Sequence, residues 1–268
     1  MLLGVSILLA APTPSQADPG APPSGLSDAQ SAPDESSARA IAVQFQHPVT
    51  VDSATTETGV VAAQPDGSFK LTESTLPARV RLNGAWTPVD LSLSAEPGGM
   101  LAPEAPATPV KFSAGGSGPL AMVQAPSGEW LSETWPAGPL PAPTVTADSA
   151  SYPDVLPGVD LQLNATAMGM SEVLIVKDSA AAADPGLAAV RFGVDDGSMT
   201  TSEVAGGAMV TTASGLGQQL VSAPPTWWDS STPGASAAGP GDTGLPLPLA
   251  NSDTPSDITL NAASTLAS

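Results

Sequence analysis

Three carboxylates stand close together along the chain, Asp154, Asp160 and Glu172. Paired as Asp154 with Asp160, or as Asp160 with Glu172, they are the parts of a glycoside hydrolase: one acid to protonate the leaving oxygen, one carboxylate to attack or to activate water. That chemistry requires a particular carboxyl separation, which spacing along a chain does not give. Asp160 also has a structural role open to it. It follows Pro157-Gly158-Val159 at the opening of a strand, where an aspartate usually accepts hydrogen bonds from backbone N–H groups. Asp195-Asp196-Gly197 and Asp66-Gly67 supply oxygens of the kind calcium prefers, but neither has the alternating acidic register of an EF-hand. Both read as hairpin turns, for which Asp-Gly is common chemistry.

The second candidate chemistry is sugar stacking, through Trp86, Trp130, Trp135, Trp227 and Trp228. Trp86 and Trp135 are expected in the core. Trp227 and Trp228 are adjacent, so on a strand they point to opposite faces; this pair is the candidate ligand-binding site. His47, the 1 histidine of the chain, has no nucleophile partner and reads as structural or solvent-exposed. Gly115-Gly116-Ser117-Gly118 lacks the lysine of a phosphate loop and opens no helix, so it reads as a turn. Asn164-Ala165-Thr166 matches an N-glycosylation acceptor by pattern alone. The sequence assigns no catalytic residue, no metal site and no cofactor.

Composition narrows the partners. With 7 Lys and Arg against 26 Asp and Glu, the net charge is −19, which gives no basic footprint for nucleic acid or for an anionic membrane surface. Cysteine is absent, and with it disulfides, thiolate nucleophiles and Cys-based zinc or iron–sulfur sites. At 41% hydrophobic and 12% charged, the chain is neither a highly charged disordered protein nor a membrane protein in bulk.

The elements that must position these residues are short strands. Residues 1–17 read as a secretion signal: an apolar run to Ala11, then small residues up to Ala17. The run is shorter than the roughly 20 residues that span a bilayer, so no membrane association is expected after cleavage. No Lys or Arg precedes it, so the natural start is expected upstream. Residues 18–40 read as a disordered leader, and residues 230–268 as a disordered linker or tail rich in Pro, Ser and Gly. Between them, residues 41–229 alternate apolar and polar positions, with turn signals at intervals of roughly ten residues, which predicts an all-β antiparallel β-sandwich. Hairpins are expected at Asp66-Gly67, Asn83-Gly84, Gly169 and Asp195-Gly197, and a short helical turn broken by Pro185-Gly186 at residues 180–189.

The ordered motifs resemble a known group. Pro65-Asp66-Gly67-Ser68-Phe69, Val80 to Asp90, Phe112 to Leu120, Trp135-Pro136, Tyr152-Pro153-Asp154-Val155-Leu156-Pro157-Gly158-Val159-Asp160-Leu161 and Ala223 to Ser231 are similar, in that order, to the N-terminal β-rich region of large secreted actinobacterial proteins. Later parts of those proteins commonly carry laminin-G-like (LamG) domains or RHS repeats. The resemblance implies an extracellular, non-catalytic module, expected here in truncated form, and it carries over no catalytic residue. Ser171 stands before Glu172 where such proteins often have a basic residue. The expected function is therefore a secreted structural or interaction module and not an enzyme, with a cell-surface or environmental polysaccharide, or a protein, as partner. The alternatives are a polysaccharide-binding module using an exposed tryptophan and, behind it, a glycoside hydrolase.

Overall fold

The computed structural model describes residues 26–204, 207–213, 219–226 and 257–261, the last stretch by its backbone pairing. The apolar start, the first part of the expected leader and Trp227-Trp228 lie outside the described residues. The chain is all-β, built from antiparallel sheets with a sandwich core, as the turn spacing predicts. It divides into two compact units, one ending at Glu73 and the next beginning at Ser74.

In the first unit, β1 (Ser31–Ala32), β2 (Val49–Val51), β3 (Gly59–Ala63) and β4 (Phe69–Glu73) form one sheet in chain order, and α1 (Glu35–Phe45) packs on it. This corrects two expectations: ordered structure begins well before residue 40, and residues 41–229 are not one unit. The cause is local. The Asp34 carboxylate accepts the Ser37 backbone N–H at 2.8 Å and caps the helix. Ala38, Ile41, Ala42 and Phe45 then recur at helical spacing. The first three are buried, in a cluster with Val49, Val51 and Ala63, and burying Ile41 alone contributes about 2 kcal/mol. Gln46 ends the helix in the left-handed region, φ 58°, with its N–H bonded back to the Ala42 carbonyl.

The second unit opens with a hairpin, β5 (Arg79–Leu82) and β6 (Ala85–Pro88). Asn83 and Gly84 close it at φ 50° and 84°, the conformation that an Asn-Gly turn favours. Next comes an antiparallel meander: β7 (Asp90–Ala95), β8 (Met100–Ala105), β9 (Val110–Ser113), β10 (Ala121–Gln124) and β11 (Trp130–Thr134). A second meander follows, from β12 (Thr144–Thr146), β13 (Ser149–Leu156), β14 (Val159–Thr166) and β15 (Gly169–Val176). The short helix α2 (Ser179–Ala182) and a 3-10 turn at Pro185–Leu187 fulfil the expected broken helical turn. The chain then returns as β16 (Ala189–Asp195) beside β11, and β17 (Thr200–Val204), β18 (Ala208–Thr212) and β19 (Gln219–Ser222) form a three-stranded sheet. Finally β20 (Asp257–Asn261) pairs antiparallel with the free edge of β16, inside the stretch expected to be tail.

The seven-stranded sheet (β7–β11, β16, β20) and the four-stranded sheet of the same unit (β12–β15) share one core, which includes Phe112, Leu120, Tyr152, Leu161 and Leu163. Along β14 the pleat sorts the side chains: Val159, Leu161, Leu163 and Ala165 are buried, while Asp160, Gln162, Asn164 and Thr166 take the opposite face. Trp135 is in the core as expected, edge-on to Phe192 with centroids 5.6 Å apart. Asp195-Asp196-Gly197 does not close a hairpin, because β16 and β17 belong to different sheets and the turn carries the chain between them. The Gly115 turn exists because two loops meet there: a Cβ on Gly115 would lie 3.0 Å from the Pro141 carbonyl oxygen.

Candidate functional site

The carboxylates of the glycosidase reading do not converge. Asp160 lies opposite Ile175 on β15, and Glu172 opposite Leu163 on β14. The two therefore occupy opposite faces of the sheet, Asp160 outward and Glu172 toward the core. Asp160 has the structural role instead. Its Oδ1 accepts the Asp154 backbone N–H at 2.8 Å and lies 2.7 Å from Lys177 Nζ. The Asp154 carboxylate meets the same ammonium at 2.9 Å. Asp154 is held in the left-handed region, φ 49°, where the β13–β14 register shifts between Tyr152 and Leu156. Lys177 first, and the Asp154 N–H second, hold the Asp160 carboxyl below its usual value.

The acidic turns are equally committed to backbone. Asp66 accepts the Ser68 N–H at 2.9 Å, Asp195 the Gly197 N–H at 3.1 Å and Asp196 the Thr201 N–H at 3.0 Å. Among the described residues, no three His, Cys, Asp or Glu side chains converge as a metal-holding group. Asn164 is half-buried; its Nδ2 donates to Ser171 Oγ at 3.2 Å and its Oδ1 accepts from Ser149 Oγ at 2.7 Å. In the first unit, His47 Nε2 lies 2.5 Å from Asp28 Oδ1, and Nδ1 lies 2.9 Å from the Pro48 carbonyl oxygen. Both ring nitrogens face acceptors, an arrangement that only the doubly protonated ring satisfies. The Pro48 carbonyl first, and Asp28 second, raise the His47 pKa.

Of the tryptophans, Trp227 and Trp228 lie outside the described residues. Trp86 is half-buried in its hairpin rather than in the core, with the Arg81 guanidinium 5.3 Å from its ring centroid. Trp130 is the one set in a recess. On β10, Met122 faces Lys111 of β9 and Ser132 of β11, so the pleat puts Lys111, Met122 and Trp130 together on the face away from the core. With Met100 and the Glu96–Gly98 turn they line an open groove of about 200 Å³. Lys111 Nζ lies 5.3 Å from the Trp130 ring centroid and 2.6 Å from Glu96 Oε2. The groove thus joins an apolar aromatic floor to a paired cation and anion at its rim.

One arrangement went unread in the sequence. Glu133 on β11 lies opposite Ala121 on one neighbour and Val194 on the other, and it shares the core-facing register. Glu133 Oε2 and Glu172 Oε1 are both buried without a hydrogen-bond partner. Burial pushes both carboxyls above the usual range, and Glu172 much further because the charge of Glu133 adds to its burial. Parity along β15 carried the signal for Glu172, which falls in step with the core-packing Met170, Leu174 and Val176; nothing in the sequence tied it to Glu133, in another sheet. Comparison of the chain with protein-family models, with curated proteins and with solved structures finds no match.

Proposed function

We propose that the chain is an exported, non-catalytic interaction module that holds an uncharged polysaccharide in the groove over Trp130. The observation that carries this reading is the groove itself. An indole and two methionines offer an apolar surface to the C–H face of a sugar ring. The Lys111 ammonium supplies donors and the Glu96 carboxylate supplies acceptors for ring hydroxyls. Their charges cancel within the groove, which suits a neutral ring, and a molecule of net charge −19 repels polyanions. Export is supported by the apolar run at residues 1–17 and by the resemblance of the ordered motifs to the leading region of large secreted proteins. A structural role as spacer or docking domain is compatible with the same groove.

The test is a fluorescence titration of the full chain against a panel of neutral polysaccharides. At least one member is expected to quench tryptophan emission saturably, and Trp130→Ala is expected to abolish that response while still unfolding in one cooperative transition. No quenching across the panel, or quenching that survives in Trp130→Ala, overturns the reading.

A further inference from the structure

Glu133 and Glu172 come from the two facing sheets of the second unit, 39 positions apart in sequence, and both turn toward the apolar core those sheets share. Each leaves a buried oxygen without a partner. A buried carboxylate is tolerated when a cation or several donors face it. None does here. On β9 Lys111 points to the outer groove. On β16 Arg191 and Asp195 alternate with the core residues Val190 and Phe192. Asp160 of β14 and Asp154 of β13 are spent on Lys177, just past the end of β15, on the outside of the sheet. Glu104 of β8 and Asp178 are exposed and Asp184 is half-buried; the two aspartates cap the short helical turns after β15. The titratable group that does face inward is the Tyr152 phenol, and its hydroxyl is committed to the Ser113 carbonyl oxygen at 2.7 Å.

We infer that Glu133 and Glu172 form a proton-dependent clasp between the two sheets, closed when the pair holds its protons and loosened when they leave. A protonated carboxyl carries no charge, so holding the protons removes the cost of burying two unpartnered carboxylates at this interface. Loss of the protons puts two like charges into one apolar layer. The sign follows from linkage. The folded state holds these protons more tightly than the unfolded chain does, so their contribution is fully present below the ordinary carboxylate range and is lost as pH rises through the folded values. Because β11 carries Glu133 toward the core and Trp130 on its other face, loosening of this strand also reaches the groove.

The experiment is urea unfolding of the full chain from pH 5 to pH 8, followed by tryptophan fluorescence. All five tryptophans lie beyond Ser74, so the signal reports the second unit and not His47. The folding equilibrium constant of the wild type is expected to fall by up to about tenfold per pH unit for each proton released. The double variant Glu133→Gln/Glu172→Gln is expected to flatten this dependence and to exceed the wild type at pH 8. A flat wild-type profile, or one that persists unchanged in the double variant, overturns the inference. Infrared spectroscopy of the wild type gives a second reading that needs no variant: a protonated-carboxyl stretch that persists above the pH at which ordinary carboxylates have ionised and is lost in step with the fluorescence change. Absence of such a band also overturns it.

Discussion

Asp160 shows how one side chain stabilises an irregular stretch of sheet. The backbone at Asp154 sits in a region that costs a non-glycine residue of order 1 kcal/mol, and the Asp160 carboxylate compensates by taking the Asp154 N–H while meeting Lys177. Asp160→Ala removes both and leaves Lys177 with Asp154 alone. The expected loss is about 1–2 kcal/mol, allowing for solvent screening of the partly exposed ammonium, and it is read as a lowered urea midpoint at pH 7. Because Lys177 and the Asp154 N–H hold the Asp160 carboxyl below its usual value, the wild type should lose this contribution below about pH 4, as the carboxyl protonates, so that wild type and variant converge in acid. The backbone role of Asp160 was legible in the sequence, since Pro157-Gly158-Val159 announces a strand opening. The orientation of Glu172 was legible only as parity, and the meeting with Glu133 was not legible at all, because pairing between facing sheets leaves no periodic trace in either strand.

Among the elements, α1 holds the first unit together and is the part of the fold that sequence reading placed least well. A Pro- and Ser-rich composition dominated the reading of residues 18–40, yet Pro33-Asp34 followed by apolar positions at helical spacing is a helix start. The cap can be tested directly: Asp34→Ala should cost about 1 kcal/mol. Amide hydrogen exchange across Glu35–Phe45 should then quicken by about fivefold; unchanged exchange would show that the Ser37 N–H is satisfied without Asp34. The hairpin turns were easier to read because their chemistry is confined to two or three residues, as at Asn83-Gly84 and Asp66-Gly67. What those residues do not encode is sheet membership. Asp195-Asp196-Gly197 has hairpin composition but joins strands of two sheets, and the stretch from Trp86 to Leu93 is divided at Val89 between two strands of different sheets. These outcomes depend on which apolar faces meet.

Above the range in which Asp160 titrates, pH acts on both units in one direction. In the first unit, His47 gains a carbonyl and a carboxylate as partners and its pKa is raised. Its contribution is therefore complete below the ordinary histidine value of about 6.5 and is lost as pH rises through the folded value. Exchange protection of Val49–Val51 and Gly59–Ala63, corrected for the intrinsic rate, should fall from about pH 6 to about pH 8 in the wild type and stay level in His47→Gln; a parallel fall in the variant would remove His47 from the explanation. The clasp in the second unit carries the same sign. An acidic chain with its protons held at the His47–Asp28 contact and at a buried acid pair is thus built to be tightest in mildly acidic surroundings.

The groove over Trp130 remains the centre of the functional reading, and observing it in solution decides the matter. With a neutral polysaccharide that quenches the protein, NMR should show shifts concentrated at the Trp130 indole N–H and the methyl groups of Met100 and Met122, saturating together, with the Trp86 and Trp135 indoles unmoved. Shifts that gather elsewhere, or none at saturating ligand, would contradict the assignment of this groove as the site of contact.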